Sequence, residues 1–217
     1  MRFLSELILH IETATKICSV ALSDSGTLLD SLDKEPSEYI HGEYLTLFIE
    51  ELLQNGNKTF QDLDAISVSI GPGSYTGLRI GLAVAKGLCF GLKIPLITVE
   101  TLDSLLALGR EVQPDQNLCA VLDARRMEVY SKIISSEETV MSDTEATIID
   151  ESTFTDFEPF VCFGDGAAKL SEIWSGRDIT INNDIKLSAA GQLNVSIAKF
   201  RNNNFEDLAY IKPMYIK

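Results

Sequence analysis

Two acidic residues and two glycine pairs recur at matching places in the two halves of the sequence. Glu12 and Asp123 each end an apolar strand-like segment, and the pairs Gly71-x-Gly73 and Gly164-x-Gly166 each separate such a segment from a helix-like one. Turn amides of this kind bind phosphate oxygens, and a carboxylate positions a metal ion or a water. The pattern predicts a nucleotide cleft, or its remnant, between duplicated halves. A tight turn that needs a positive φ explains each glycine pair equally well.

Several other kinds of site lack the residues that they need. The sequence has two histidines, His10 and His41, so a three-histidine metal site is impossible. Ser74 does not stand in the Gly-x-Ser-x-Gly of an esterase, and Thr76 occupies the place of the third glycine in a dinucleotide-binding turn. The four cysteines are far apart in apolar runs, which predicts reduced core residues. These absences argue against a metal hydrolase, an esterase and a Rossmann-type enzyme.

The elements that would position the acids and glycines follow from the apolar spacing. Period-two runs predict strands, and runs of period 3.6 predict helices. The first half reads as βββαβαβα, with strands at 7–11, 17–23, 27–33, 64–70 and 96–99 and helices at 43–54, 78–90 and 101–110.

The second half repeats this plan in a smaller form. It contains predicted strands at 118–123, 127–134 and 160–163, and predicted helices at 167–174 and 187–200, before an extended tail at 210–217. Between Lys132 and Lys169 there are nine acids and no base, which predicts an exposed, irregular insertion. We therefore expect two lobes, residues 1–108 and 109–217, with the final helix packed back on the first lobe.

Charge and hydropathy limit the classes of function. The 18 Lys and Arg residues against 32 Asp and Glu residues give a net charge of −14, so the chain alone should bind nucleic acid poorly. The longest segment without a charge is residues 65–78, shorter than the ~20 apolar residues of a membrane-spanning helix. An acid at Glu6 argues against a signal peptide, so we expect a cytoplasmic protein with no membrane partner.

Two predicted helices carry more apolar surface than one core contact needs. Residues 77–90 are apolar nearly all round, and the helix at 43–54 has apolar side chains on two sides. The alternatives are a buried central helix or a docking surface in which glycines let another helix approach closely. The second alternative predicts a partner interface, and a homodimer of the isolated chain, made by Tyr44, Leu47, Phe48, Glu51, Gly77, Ile80, Gly81, Val84 and Leu88.

The segment SIGPGSYTGLRIGLAVAKG at residues 69–87 resembles the TsaB (YeaZ) family, and residues 11–21, 99–102, 123–130 and 213–217 add to the resemblance. It implies an α/β fold of the actin-like ATPase (ASKHA) class, with two ribonuclease-H-like lobes of which the second is reduced. It also implies a role in making N6-threonylcarbamoyladenosine at position 37 of tRNAs that read codons starting with A.

By this resemblance the chain is a non-catalytic, essential partner subunit. The family binds and activates the transferase TsaD through its first two helices, the ATPase TsaE joins the pair, and tRNA is bound only through the complex. TsaD holds a metal with an H-x-x-x-H pair, and the matching positions here are His41 and Leu45, so one ligand is missing. The resemblance implies no resident metal or cofactor, and it leaves room for a nucleotide at the junction with TsaD.

Two positions depart from the family pattern. Glu12 replaces the usual aspartate, which weakens a claim of ATP hydrolysis by the first lobe, and Lys217 replaces a terminal arginine, so contacts of a longer tail are expected to be missing. The alternative function is a small ATP-dependent phosphotransferase of the same fold, with Asp123 or Asp165 as the catalytic acid. An assay of the chain alone for ATP turnover separates the two.

Overall fold

The computed structural model describes residues 6–34 and 41–216. The ten strands described are β1 (Leu7–Glu12), β2 (Cys18–Asp24), β3 (Thr27–Lys34), β4 (Ala65–Gly71), β5 (Leu96–Glu100), β6 (Leu118–Asp123), β7 (Glu128–Ile134), β8 (Val140–Ile148), β9 (Phe160–Phe163) and β10 (Ile179–Asn182). The α-helices are α1 (His41–Asn55), α2 (Tyr75–Leu92), α3 (Thr101–Val112) and α4 (Leu193–Arg201). Short 3-10 helices cover Phe60–Asp62, Thr155–Phe157, Ala168–Leu170 and Ala189–Gln192.

The strands form two five-stranded sheets with one topology. The first has the order β3-β2-β1-β4-β5 and the second the order β10-β9-β6-β7-β8. In each sheet three consecutive strands pair antiparallel, and the two later strands add in parallel beside the first of the three. The fold therefore consists of two lobes with the same sheet.

Alternation along β1 divides the core of the first lobe. Leu7, Leu9 and Ile11 pack in the cluster that contains the buried faces of α1 and α2. Ile8, on the opposite face, packs in another cluster with Ile197 of α4. Successive side chains of a strand point to opposite faces, so one sheet serves two helical layers.

The helices between the two sheets cross the predicted boundary. Gly109 of α3 packs against the ring of Phe163 in the second sheet, whereas Ser196 of α4 contacts His10 in the first sheet at 3.2 Å. The boundary predicted between residues 108 and 109 falls inside α3. Helix α3, from the first half of the chain, thus packs on the second sheet, and α4, from the second half, packs on the first sheet. The boundary between residues 108 and 109 stays a prediction.

Most predicted elements are confirmed, within a few residues at their ends. Three predictions are wrong. The acidic stretch contains a nine-residue strand, β8, instead of an irregular insertion. The helix predicted at 167–174 is only the 3-10 turn Ala168–Leu170, and the helix predicted at 187–200 begins as a separate 3-10 helix.

Two further features complete the description of the chain. Strand β10 was absent from the predicted elements. The predicted role of Lys217 lies outside the described residues, and so does the side chain of His41. Among the described residues, no helix is long and apolar enough to cross a bilayer.

Candidate functional site

A cleft of about 930 Å³ opens where the strands of both sheets end. The loops after β1 and β4 form one wall, and the loops after β6 and β9 and the segment after β10 form the other. The cleft is lined by Ala14, Thr15, Lys16, Ile17, Gly73, Ser74, Tyr75, Thr76, Leu122, Asp123, Ala124, Arg125, Tyr130, Gly164, Asp165, Ala168, Asn183, Ile185, Lys186 and Leu187. A volume of this size suits a small-molecule ligand.

The six residues predicted as nucleotide-cleft remnants divide into two groups. Gly73, Asp123 and Gly164 line the cleft, whereas Glu12, Gly71 and Gly166 do not. The second group lies behind the wall, because Glu12, Gly71 and Gly166 are buried, whereas Gly73 and Gly164 are partly exposed. Three of the six predicted remnants thus lie in the cleft lining, and a role of the six in binding a nucleotide stays a prediction.

Glu12 is completely buried at the end of β1. Its Oε1 accepts a hydrogen bond from the backbone N–H of Ala14 at 2.8 Å, while its Oε2 has no hydrogen-bond partner. Burial raises the pKa of this carboxyl to about 7. An acid buried behind the cleft wall has no access to a metal ion or a water in the cleft.

Asp123 sits at the corresponding place in the second lobe and is exposed. The ammonium group of Lys169 forms an ion pair with its Oδ1 and also donates to the backbone carbonyls of Arg126 at 2.9 Å and Glu128 at 2.7 Å. The ammonium group of Lys169 therefore contacts three oxygens of its own lobe. An actin-like site would need this carboxylate for a metal ion, and here it already has a partner.

The glycine turns pack closely on their own lobes. A Cβ at Gly73 would come within 2.5 Å of the carbonyl oxygen of Ala14, which also accepts a hydrogen bond from the N–H of Ser74 at 2.6 Å. A Cβ at Gly164 would overlap the carbonyl oxygen of Val121. Both glycines also have positive φ, 156° and 109°. The turns thus need glycine for conformation and close approach, which was the second explanation drawn from the sequence.

The nine predicted interface residues lie at different depths. Tyr44, Leu47 and Glu51 are exposed on α1, and Ile80, Val84 and Leu88 are half-buried on α2. Phe48 is buried in the core of the first lobe, with the ammonium group of Lys34 4.8 Å from its ring centre. Six of the nine residues therefore have side chains that another protein can contact.

The predicted role of Gly77 and Gly81 is wrong. Both glycines are buried and face the loop after β1, where added Cβ atoms would overlap the carbonyl oxygen and the hydroxyl of Thr13. The hydroxyl of Thr13 donates to the carbonyl of Gly77 at 2.8 Å. These glycines let α2 approach its own sheet and not another chain.

The outward side of α2 carries different residues. Ala83, Gly87 and Gly91 are exposed at intervals of four, and Phe90 is 81% exposed. A Cβ at Gly87 or Gly91 would have no neighbour within 4 Å. The helical spacing contained this signal, since residues 83, 87 and 90 lie opposite Leu78, Leu82 and Ala85 on a helical wheel.

The chemistry of the described residues is limited in one respect. No group of three or more His, Cys, Asp or Glu side chains in this part of the chain is arranged to hold a metal ion. Two sheets of one topology around a cleft, with helices exchanged between the lobes, define an actin-like α/β protein.

Comparisons with solved structures agree with this class. YeaZ from Pseudomonas aeruginosa matches 97% of this chain and 99% of its own length, with a TM-score of 0.83 and 24% identity. The ethanolamine utilization protein EutJ from Carboxydothermus hydrogenoformans matches 91% of this chain and 90% of its own length, with a TM-score of 0.50 and 12% identity. These similarities concern the fold.

Comparisons of sequence give the family. The family model described as TsaD, tRNA N6-adenosine threonylcarbamoyltransferase, matches residues 36–210. The TsaB protein of Escherichia coli, described as a tRNA threonylcarbamoyladenosine biosynthesis protein, is 36% identical over 123 residues, which are 57% of this chain and 52% of that protein. The chain spans about half the length of the curated relatives it matches. This chain belongs to the family that the TsaD model describes and, within that family, to the TsaB (YeaZ) proteins.

Proposed function

We propose that this chain is a non-catalytic partner subunit in the transfer of a threonylcarbamoyl group to adenosine 37 of tRNA. It binds and activates TsaD in the cytoplasm, together with TsaE. The proposal is supported by the family of the chain and by one observation above all. Leu45, at the position that matches the second metal-binding histidine of TsaD, is 1% exposed and packs in the core of the first lobe.

The docking surface proposed for TsaD is the outer side of α1 and α2. It consists of the exposed residues Tyr44, Leu47, Glu51, Ala83, Gly87 and Phe90. Exposed apolar side chains in contiguous helical positions are typical of protein interfaces. In the absence of TsaD the same surface pairs two copies of the chain, because a two-fold interface brings one patch against itself.

The tRNA is held by the complex and not by this chain alone. The net charge is −14, with −7 in residues 1–112 and −7 in residues 113–217, so neither half is basic. Phosphate contacts dominate affinity for nucleic acids, and a chain of this charge repels them. Filter binding at several salt concentrations should detect tRNA only after TsaD is added. Tight, salt-sensitive binding by the lone chain would refute this part.

The docking surface is tested with Leu47→Glu, which replaces one of its exposed apolar side chains with a charge. We expect the homodimer and the complex with TsaD to weaken at least tenfold, measured by analytical ultracentrifugation and isothermal titration calorimetry. Leu29→Glu is the matched control, because Leu29 of β3 is 47% exposed and Leu47 is 54% exposed. Dimers and complexes that tolerate Leu47→Glu as well as Leu29→Glu would move the interface elsewhere.

The lack of catalysis is tested with Leu45→His, which restores the histidine pair of TsaD in sequence. A two-histidine site still needs further ligands and orienting contacts, so no activity should appear. The imidazole loses hydrophobic burial and gains an unsatisfied nitrogen, at a cost of about 2–5 kcal/mol. Wild type and variant are incubated with threonylcarbamoyl-adenylate, metal and unmodified tRNA, and nucleosides are analysed by mass spectrometry. Product without TsaD contradicts the proposal.

A further inference from the structure

The exposed side of α2 continues beyond the docking surface proposed for TsaD. Exposed residues recur on it every four positions, at Tyr75, Arg79, Ala83 and Gly87. Residues four apart lie on one side of a helix, and Ala83 and Gly87 already belong to the docking surface. The same side therefore extends to the first residue of α2, where the ring of Tyr75 lies 5.3 Å from that of Tyr215 in the C-terminal segment, residues 205–216.

Arg79 is held in place by these two tyrosines. Its guanidinium carbon lies 3.8 Å from the ring centre of Tyr75 and 5.8 Å from that of Tyr215, and its Nε donates to the hydroxyl of Tyr215 at 2.8 Å. That hydrogen bond uses one of the five N–H donors of the group. Arg79 takes part in none of the ion pairs among the described residues. The side chain is thus ordered before a partner binds, and it still offers N–H donors to a carboxylate.

A small pocket lies next to this cluster. Its volume is about 200 Å³, and it is lined mainly by Pro72, Tyr75, Tyr130, Met214, Tyr215 and Ile216. The C-terminal wall is tied to β4, because the N–H of Met214 donates to the carbonyl of Ile70 at 2.8 Å. Pockets for whole small molecules have about 300 Å³ or more, so this one has room for a single apolar side chain. Since Tyr130 belongs to β7, a side chain in the pocket contacts both lobes.

The charge of this part of the first lobe is opposite to that of the whole chain. Residues 65–99 contain three cations and no acid, and residues 208–217 contain two cations and no acid, in a protein of net charge −14. The two stretches meet in the structure, since the Nζ of Lys86 donates to the carbonyl of Ile211 at 3.3 Å and Arg79 contacts Tyr215. Helix α1, by contrast, contains three acids and neither Lys nor Arg. The positive surface along α2 and the C-terminal segment therefore favours an acidic group of a partner.

We propose that TsaD inserts one apolar side chain into this pocket and places a neighbouring carboxylate on Arg79. This anchor, which rests on the proposed function, extends the docking surface from Phe90 to the C-terminal segment. Two parallel N–H···O bonds from a guanidinium group to a carboxylate are strong and directional. Tyr and Arg side chains that a partner covers completely carry much of the affinity of protein interfaces. Nucleic acid is the less favoured occupant, because its phosphate backbone needs many cations and it has no apolar side chain for the pocket.

The experiment measures binding of TsaD to the full chain by isothermal titration calorimetry at low and at high salt. Arg79→Gln should weaken binding at least tenfold, and its affinity should depend less on salt than that of wild type. Arg79→Lys keeps the charge without the paired donors, so it should recover only part of the loss. Arg126→Gln is the matched control, because Arg126 is an exposed arginine of the second lobe that forms no ion pair in the part of the chain that the structure describes. Equal affinities of Arg79→Gln and Arg126→Gln would overturn the proposal.

The pocket is tested with Ile216→Glu, which puts a charge between its apolar walls and repels a carboxylate at Arg79. We expect at least a tenfold loss of TsaD binding. Thermal melting should not change, because Ile216 packs in none of the hydrophobic clusters of the described chain. Ile148→Glu is the matched control, since Ile148 of β8 is 76% exposed in the second lobe. If Ile216→Glu binds TsaD as tightly as Ile148→Glu does, no side chain of TsaD enters the pocket and the proposal fails.

The variant Leu47→Glu separates this anchor from the proposed function. If TsaD does not bind wild type, the proposed function fails. If TsaD binding is weakened by Leu47→Glu but kept in Arg79→Gln and Ile216→Glu, only the anchor is contradicted. The anchor is also contradicted if Arg79→Gln and Ile216→Glu keep TsaD binding but weaken tRNA binding by the complex of the chain with TsaD and TsaE, because the site then holds RNA.

Discussion

The two lobes share one sheet topology but differ in what covers the sheet. The outer face of the first sheet carries α1 and α2, of 15 and 18 residues. On the outer face of the second sheet, the helices among the described residues are only the short 3-10 helices Thr155–Phe157 and Ala168–Leu170, and the rings of Phe160 and Trp174 pack edge to face there. A sheet thus fixes the topology, whereas its helices decide whether a lobe presents a large apolar surface to another protein.

The acids at the ends of β1 and β6 also differ between the two lobes, in their burial and in their partners. Glu12 is enclosed, and its pKa is raised to about 7 by burial, while Asp123 stays exposed and pairs with Lys169. Each sheet carries an acid at the same point, the end of its central antiparallel strand β1 or β6. The surrounding packing made one of them a buried acid and the other a surface ion pair.

The largest expected effect tests how closely α2 packs on its sheet. Gly77→Ala forces a Cβ into the carbonyl oxygen of Thr13 and should cost about 3 kcal/mol or more. The matched control in the same helix is Gly91→Ala, where a Cβ meets nothing and helix propensity adds up to ~1 kcal/mol of stability. Urea denaturation of the three proteins measures the difference. Equal stabilities would mean that α2 does not depend on this contact.

The second lobe offers a counterpart with a smaller effect. A Cβ at Gly166 would lie 3.0 Å from the carbonyl carbon of Leu122 and 3.1 Å from the N–H nitrogen of Asp123. These distances need shifts of tenths of an ångström, so Gly166→Ala should cost about 1–2 kcal/mol. If Gly166→Ala cost more stability than Gly77→Ala, the close contact at Gly166 would be the more important of the two, contrary to this prediction.

Glu12→Gln should stabilise the protein in a pH-dependent way. The folded protein keeps a proton on Glu12 up to about pH 7, while the unfolded chain loses it near the ordinary value of 4.5, so wild-type stability from this group is lost as pH rises from 4.5 to 7. The difference corresponds to about 3 kcal/mol. We expect the variant to match wild type at pH 4 and to exceed it by about 2–3 kcal/mol at pH 8 in denaturant titrations. A gap that does not change with pH would contradict the assignment.

His10 lies in the same strand as Glu12, and its contribution to the stability of the folded protein has the opposite dependence on pH. It is fully buried between the hydroxyls of Ser23 and Ser196, and burial lowers its pKa to about 3. Stability from His10 is therefore present above pH 6.5 and is lost as pH falls toward 3. Between pH 4.5 and 6.5 the slopes of His10 and Glu12 cancel. Glu12→Gln should uncover a rise of stability with pH in this window, which is absent from wild type.

The smallest expected effect concerns the ion pair of the second lobe. Lys169→Met keeps an unbranched apolar stem and removes the charge that Asp123 contacts, at a cost of about 1 kcal/mol, because the pair is partly exposed. The effect should shrink in 1 M salt. Thermal melting at two salt concentrations measures it, and a loss above 3 kcal/mol would show a buried network instead of a surface pair.

The sequence predicted the sheets better than their coverings. Strands such as β1 and β4 are rich in Leu, Ile and Val and are buried throughout, so their pattern is strong. Strand β8 is an edge strand whose Asp143 and Glu145 remain in solvent or pair locally, so its composition resembled a loop. The helix predicted after Gly166 is only the 3-10 helix Ala168–Leu170, and the ring of Trp174 that follows it packs edge to face on Phe160.

The site was predictable only where it depends on local spacing. The exposure of Leu47 and the burial of Leu45 follow from one helical wheel. The ion pair of Lys169 with Asp123 joins residues 46 positions apart, and the contact of His10 with Ser196 spans 186 positions. Neither pair has a local sequence signal, although the first gives Asp123 its ion-pair partner and the second gives His10 a hydrogen-bond partner.

The return of α4 to the first sheet has a consequence for synthesis on the ribosome. The side-chain amide of Gln192 donates a hydrogen bond to the carbonyl of Ile11 and accepts one from the hydroxyl of Ser67. The N–H of Met214 donates to the carbonyl of Ile70. The first lobe is thus missing one layer until the chain as far as residue 214 has left the ribosome, although domains usually fold as they emerge. Nascent chains halted before residue 192 should be cut by protease in the first lobe, and chains released after residue 214 should resist it.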